Sequence, residues 1–188
     1  MNHLNPWKYF LSLEKDFIKT LQYVELEEKH FGVYSIEYAK LLMLTGAEFE
    51  NMGKVILKEL KSEFDVNNIG DIKKGLLENY PKIVELEVNI ENTLIKLKPF
   101  ANWGNKKDSQ KLLWWNNYND LKHNKHQNYH LANMESVLKG LACLLWLNII
   151  YYKKVLNHEI VILENGFLEV DYEVCVSTVM NKPNFELT

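Results

Sequence analysis

Leu131-Ala132-Asn133-Met134-Glu135-Ser136-Val137-Leu138-Lys139-Gly140-Leu141-Ala142-Cys143-Leu144-Leu145-Trp146-Leu147-Asn148-Ile149-Ile150-Tyr151-Tyr152 sets Leu131, Met134, Leu138, Leu141, Leu145, Ile149 and Tyr152 at spacings of three and four, a row that Leu156 extends. That period belongs to an α-helix. A surface helix is apolar along one stripe, whereas the middle of this one is apolar almost all round, so other helices must enclose it. Its most apolar run, Leu141 to Tyr152, is 12 residues long and contains Asn148, against the roughly 20 that a bilayer span requires. The expectation is a central core helix and no membrane partner.

The segments before it supply the enclosure. From Trp7, the residues Phe10, Leu13, Phe17, Leu21 and Val24 form one apolar stripe, with Glu14, Lys15, Lys19 and Glu25 on the opposite face. Ser35 is placed to cap a second helix of about 28 residues, roughly 40 Å long, with Tyr38, Leu41, Thr45, Phe49, Met52, Ile56 and Leu60 on one side. Asp71 can cap a short helix that runs through Tyr80 and stops at Pro81. The period then falls to two. Val84, Leu86, Val88 and Ile90 alternate with Glu85, Glu87 and Asn89, and after Glu91-Asn92-Thr93 the alternation resumes through Ile95, Leu97 and Pro99. This predicts a β-hairpin over about 82–100. After a polar loop, Asp108 or Ser109 can cap a helix leading into Trp114-Trp115-Asn116-Asn117-Tyr118-Asn119-Asp120-Leu121-Lys122-His123. Beyond the core helix, residues 159–163, the turn Glu164-Asn165-Gly166 and residues 167–179 read as a second hairpin. No linker or repeat interrupts the chain, so residues 1–188 are read as one domain, mainly α, an up-down helical bundle with one or two β-hairpin additions.

Composition narrows the function classes. The 188 residues are 47% hydrophobic and 25% charged, ample for a folded core. A formal net charge of −3 and a pI near 6.1 leave no global basic field, so any anionic partner must meet a local patch. All 22 basic residues are lysine; the chain has no arginine, and with it no guanidinium fork. Cys143 and Cys175 are the only cysteines, too few for a disulfide framework, and the first residues lack the basic and apolar regions of a secretory signal. A reduced, cytoplasmic protein is expected.

Chemistry concentrates after Trp114. On a helix over 109–125, Trp114, Tyr118, Leu121 and Lys125 form one row, while Trp115, Asn119 and His123 form its neighbour, with Lys122 and His126 beside them. Asn119 and His123, four apart, can reach one phosphate. Imidazole exchanges protons near neutrality, and Lys122 and Lys125 attract anions. Cleavage of RNA needs a base for the 2′-hydroxyl, an acid for the leaving oxygen and a cation for the developing oxyanion. The plainer reading is a solvated histidine at a helix end and aromatics that fill the core. His123, His126 and His130 share a spacing of three and four, but the outer two lie about 10 Å apart on a straight helix, so one ion would require a bend over 124–128. No metal or other cofactor is expected. Cys143 stands among leucines without a local histidine and reads as inert core.

The segment Tyr118-Asn119-Asp120-Leu121-Lys122-His123 resembles the motif of the HEPN superfamily, the higher eukaryotes and prokaryotes nucleotide-binding helical domains. That motif is arginine, a polar residue often asparagine, three variable residues and histidine. Asn119 and His123 match its last two elements, and Tyr118 stands where the arginine would be. The pattern Ala47-Glu48-Phe49-Glu50 with Lys54, and the long apolar helix after the motif, are similar to bacterial members; the likeness spans residues 8–157 loosely. It implies an RNA-related homodimer, a metal-independent or degenerate ribonuclease of toxin–antitoxin or antiphage defence, or a non-catalytic dimerisation or protein-interaction module with a partner such as an antitoxin. Carried onto this chain, it implies His123 as acid/base, Asn119 as the orienting group and Lys122 as the cation of catalysis, with Lys125, Tyr118 and His126 as RNA contacts. Tyrosine supplies no fixed charge at neutral pH, and lysine replaces a bidentate fork only as a point donor.

Overall fold

The computed structural model describes residues 5–60, 65–104, 112–155 and 167–170. Asn5, in extended backbone, accepts the Lys8 N–H through its side chain, and Pro6 follows in the first turn, where its missing N–H costs nothing. Helix α1 therefore runs Pro6–Thr20, burying Phe10, Leu13 and Phe17 as their spacing predicts. Glu14, expected on the solvated face, is buried instead. It borders the core stripe, and its carboxylate accepts the Leu168 N–H at 3.0 Å. Burial pushes its pKa up, against the effect of that hydrogen bond, and Glu91 adds to the rise.

Helix α2 spans Ile36–Leu60, with the Ser35 hydroxyl accepting the Tyr38 N–H at 3.1 Å as expected of a cap. Tyr38, Leu41, Thr45, Phe49, Met52 and Ile56 are all buried. Helix α3, Ile69–Asn79, is capped by Asn68 rather than Asp71; Asp71 instead closes a capping box by accepting the Asn68 N–H. The expected hairpin is shorter than its alternation suggests. Pro81–Glu85 forms a 3₁₀ turn that ends at Leu86, so that Ile83 and Leu86, three residues apart, are both buried. Strands β1 (Val88–Ile90) and β2 (Lys96–Leu97) pair antiparallel with Val88 opposite Leu97. Their turn holds Asn92 at φ 57°, a left-handed conformation that asparagine tolerates. Strand β3, Leu168–Glu169, pairs antiparallel with the other edge of β1, giving the order β2-β1-β3. The rest of the second expected hairpin over 159–179 lies outside the described residues.

Helix α4 is Leu113–His123, α5 is Lys125–Asn128, and α6 is Met134–Ile150, continued by a π-helical turn over Tyr151–Val155. The core helix thus begins after Leu131, which sits in a 3₁₀ turn, because Asn133 caps it by accepting the Ser136 N–H at 2.9 Å. Every residue of α6 is buried except Glu135 and Lys139, which pair one turn apart. The helical stretch Met134–Lys153, 20 residues, is long and apolar enough to cross a membrane, beyond what the 12-residue run suggests; 83% of its most apolar window is buried inside the fold.

Contacts fix the helix directions. α2 and α6 start side by side, where Tyr34 bridges Asn133 and the Phe31 and Val33 carbonyls accept the Glu135 and Met134 N–H groups. α1 runs opposite to α6, its capping Asn5 accepting the Tyr152 hydroxyl at 2.8 Å. α4 also opposes α6, since Trp114 meets Cys143 while Asn117, further along, meets Ser136, earlier on α6. Helices α1, α2, α4 and α6 therefore alternate in direction, a mainly helical architecture with a small three-stranded sheet.

Candidate functional site at the end of helix α4

Helix α4 is held by its aromatic side. Trp114, Trp115, Tyr118 and Leu121 are buried, and the rings form a continuous series: Phe49 meets Trp114 edge-on at 5.1 Å, Trp114 meets Trp115 at 5.7 Å, and Trp115 meets Tyr118 at 5.0 Å. Trp114 Nε1 donates to Cys143 Sγ at 3.2 Å, and Asn117 Nδ2 donates to Ser136 Oγ at 2.7 Å. These polar links lock α4 against α6 without leaving the groups unpaired. Burial pushes the Cys143 thiol pKa up, in keeping with a core residue rather than a nucleophile.

The helix starts at Leu113, after Leu112, without a side-chain cap. Asp108, Ser109 and the lysines at 106, 107 and 111 lie outside the described residues. It ends at Asn124, whose φ of −146° leaves the helical region. Asn124 then caps α5 by accepting the Gln127 N–H, and the Asp120 carbonyl accepts both the Asn124 N–H and Asn128 Nδ2, each at 2.9 Å. A helix C-terminus favours cations in its last turn, and Lys122 and His123 occupy it.

The expected two-row pattern is corrected in three places. Trp115, aligned with Asn119 and His123 in the sequence, is only 4% exposed and belongs to the core. Lys125 and His126 do not continue α4, because the break at Asn124 moves them onto α5, where both are exposed. Tyr118, expected to contact RNA, is 2% exposed. Its ring packs against α2 at Gly46, where a Cβ would come within 2.4 Å of it, and Lys122 Nζ covers it at 5.5 Å from the centroid. A buried phenol cannot stack on a base, so Tyr118 leaves the set of RNA contacts.

What remains together is a solvent-facing ledge. Asn119 is half-buried and Lys122, His123, Lys125 and His126 are exposed. Neither Asn119 nor His123 has a side-chain hydrogen-bond partner among the described residues. Lys40, Lys54 and Lys139 pair with glutamates one turn away, whereas Lys122 and Lys125 form no ion pair among the described residues. Such a ledge can attract an anion through its lysines, donate an amide hydrogen bond and offer an imidazole for proton transfer. Among the described residues no three His, Cys, Asp or Glu side chains could hold one metal ion. Sequence reasoning missed Asn117 and Gly46, which position the helix; an asparagine among aromatics, and a glycine inside a long helix, were the available signals. Compared with models of protein families, with curated proteins and with solved structures, the chain matches none.

Proposed function

We propose that this chain is a HEPN-like helical domain that engages RNA through the exposed end of α4, as a degenerate relative of metal-independent ribonucleases. The observation that carries the reading is the placing of half-buried Asn119 and exposed His123 one turn apart on α4, neither with a side-chain hydrogen bond among the described residues, beside Lys122 and Lys125, which form no ion pair among those residues. In this role Lys122 and Lys125 bind phosphate, the Asn119 amide orients it by donating to a phosphate oxygen, and His123 takes or gives the proton at its imidazole. The missing element is a fixed guanidinium, which Lys122 replaces as a point charge. The setting implied by the resemblance is toxin–antitoxin or antiphage defence, with the chain acting in the cytoplasm as a homodimer.

A second reading is favoured by one observation. Tyr118, at the motif's arginine position, is packed inside the chain, which suits a module that dimerises or binds a protein such as an antitoxin and cleaves nothing. A single-turnover assay on mixed RNA, comparing the chain with His123→Ala, combined with RNA binding at low and high salt, separates the two. Salt-sensitive binding weakened by Lys122→Gln supports the RNA reading. Cleavage lost in His123→Ala assigns the proton transfer to that residue, and equal cleavage by both removes the catalytic part. A stable dimer by light scattering with no RNA affinity at either salt overturns the RNA reading in favour of the second.

A further inference from the structure

We infer that Tyr34 is a stacking platform for an unpaired base, so that the substrate class of the α4 ledge is single-stranded rather than duplex RNA. The inference rests on the RNA reading above. Tyr34 is 52% exposed, yet its backbone is fixed by the bridge to Asn133 and its ring packs edge-on against Tyr129 at 5.6 Å and 87°. Tyr129 follows Asn128, whose amide donates to the Asp120 carbonyl in the last turn of α4. A rigid aromatic ring, held on one side and open on the other, is thus tied by two contacts to the helix end that bears the ledge.

Charge points the same way. From Leu121 to Met134 the chain has no acidic residue; it carries two exposed cations, Lys122 and Lys125, and three exposed imidazoles, His123, His126 and His130. Cations that follow a backbone, combined with an aromatic that accepts a base face, are the means by which single strands are held without sequence readout. An A-form duplex hides its base faces within the stack and offers phosphates and 2′-hydroxyls instead. The other highly exposed tyrosine, Tyr23, lacks this company: it lines a cleft of about 450 Å³ with the ion pair Lys19–Asp16 and with Glu37, which Lys40 neutralises, and no aromatic ring packs against it among the described residues.

Fluorescence anisotropy with a labelled mixed-sequence RNA, alone and annealed to its complement, tests the inference. Tyr34→Ala is expected to weaken single-strand binding about fivefold to a hundredfold, the range for one lost base stack. Tyr34→Trp should restore it, duplex binding should not change, and the salt dependence of Tyr34→Ala should match the wild type because no phosphate contact is lost. Tyr23→Ala serves as the control for a generic surface tyrosine, and circular dichroism checks that each variant is folded. Unchanged single-strand binding in Tyr34→Ala while Lys122→Gln weakens it overturns the stacking inference and leaves the RNA reading standing. Equal weakening on single strand and duplex also overturns it. No binding by the wild type overturns both.

Discussion

Gly46 decides how Tyr118 is stored, and its replacement gives a number that can be wrong. In an open helix Gly46→Ala would stabilise by about 1 kcal/mol, because alanine loses less backbone entropy than glycine. Here the new Cβ would meet Tyr118 Cδ2 at 2.4 Å, Cγ at 2.5 Å and Cε2 at 2.6 Å. Ordinary contact requires the ring to retreat by about 1 Å, and Trp115 at 5.0 Å stands against it. Overpacking of a filled core costs about 1–3 kcal/mol, and a clash with three ring atoms at once belongs at the upper end. Subtracting the propensity gain leaves a net loss of about 2 kcal/mol, or about 4–8 °C in Tm for a chain of this size. Urea unfolding followed by tryptophan fluorescence measures it. The coupling with Tyr118→Leu should be strong, the double variant losing less than the sum of the single ones. A Gly46→Ala protein stabilised by about 1 kcal/mol, and additive with Tyr118→Leu, would refute the packing argument. It would also free Tyr118 from the core and reopen it as a surface group.

Three further outcomes follow from the same structure. The folded state holds the Glu14 carboxyl pKa above its ordinary value, so between the two values the folded chain binds the extra proton and stability rises as pH falls; Glu14→Gln, which keeps an acceptor for Leu168, should be at least as stable as the wild type near neutral pH, with the gap closing in acid. A gap that widens in acid contradicts this sign. Asn68→Ala removes a capping box and should cost about 1 kcal/mol in a urea titration; no change would show that α3 does not depend on its cap. Cys143, fully buried with a raised thiol pKa, should resist alkylation until the protein unfolds, as peptide mass spectrometry can score. Fast labelling under native conditions would mean that α6 opens.

Long periodic segments were readable before the structure because burial on one face requires a fixed spacing: the rows of α1 and α2 and the Ser35 cap stand where their residues put them. α6 is buried on all sides as its composition demands. Short segments were ambiguous. Val84 and Leu86 alternate like a strand, but Ile83 and Leu86 also satisfy a three-residue spacing, and Pro81 starts a helical turn. Glu14 was placed outside by charge alone; its role as acceptor for Leu168 depends on a strand more than 150 residues away, which no local pattern reveals. At the candidate site the exposure of Lys122 and His123 at a helix end was legible. The burial of Trp115 and the break at Asn124 were not, because a helical row drawn through 125 assumes that the helix continues.

RNA phosphates are proposed to be contacted by Lys122 in the last turn of α4 and by Lys125 at the start of α5. The most direct test is the salt dependence of RNA binding by the wild type and by the double variant Lys122→Gln, Lys125→Gln. Each phosphate contact to a single strand adds about 0.7 to the slope of log K against log salt, so the double variant should lose about 1.4 of that slope and bind more weakly at low salt. An unchanged slope, with the variant binding as tightly as the wild type, would contradict the account.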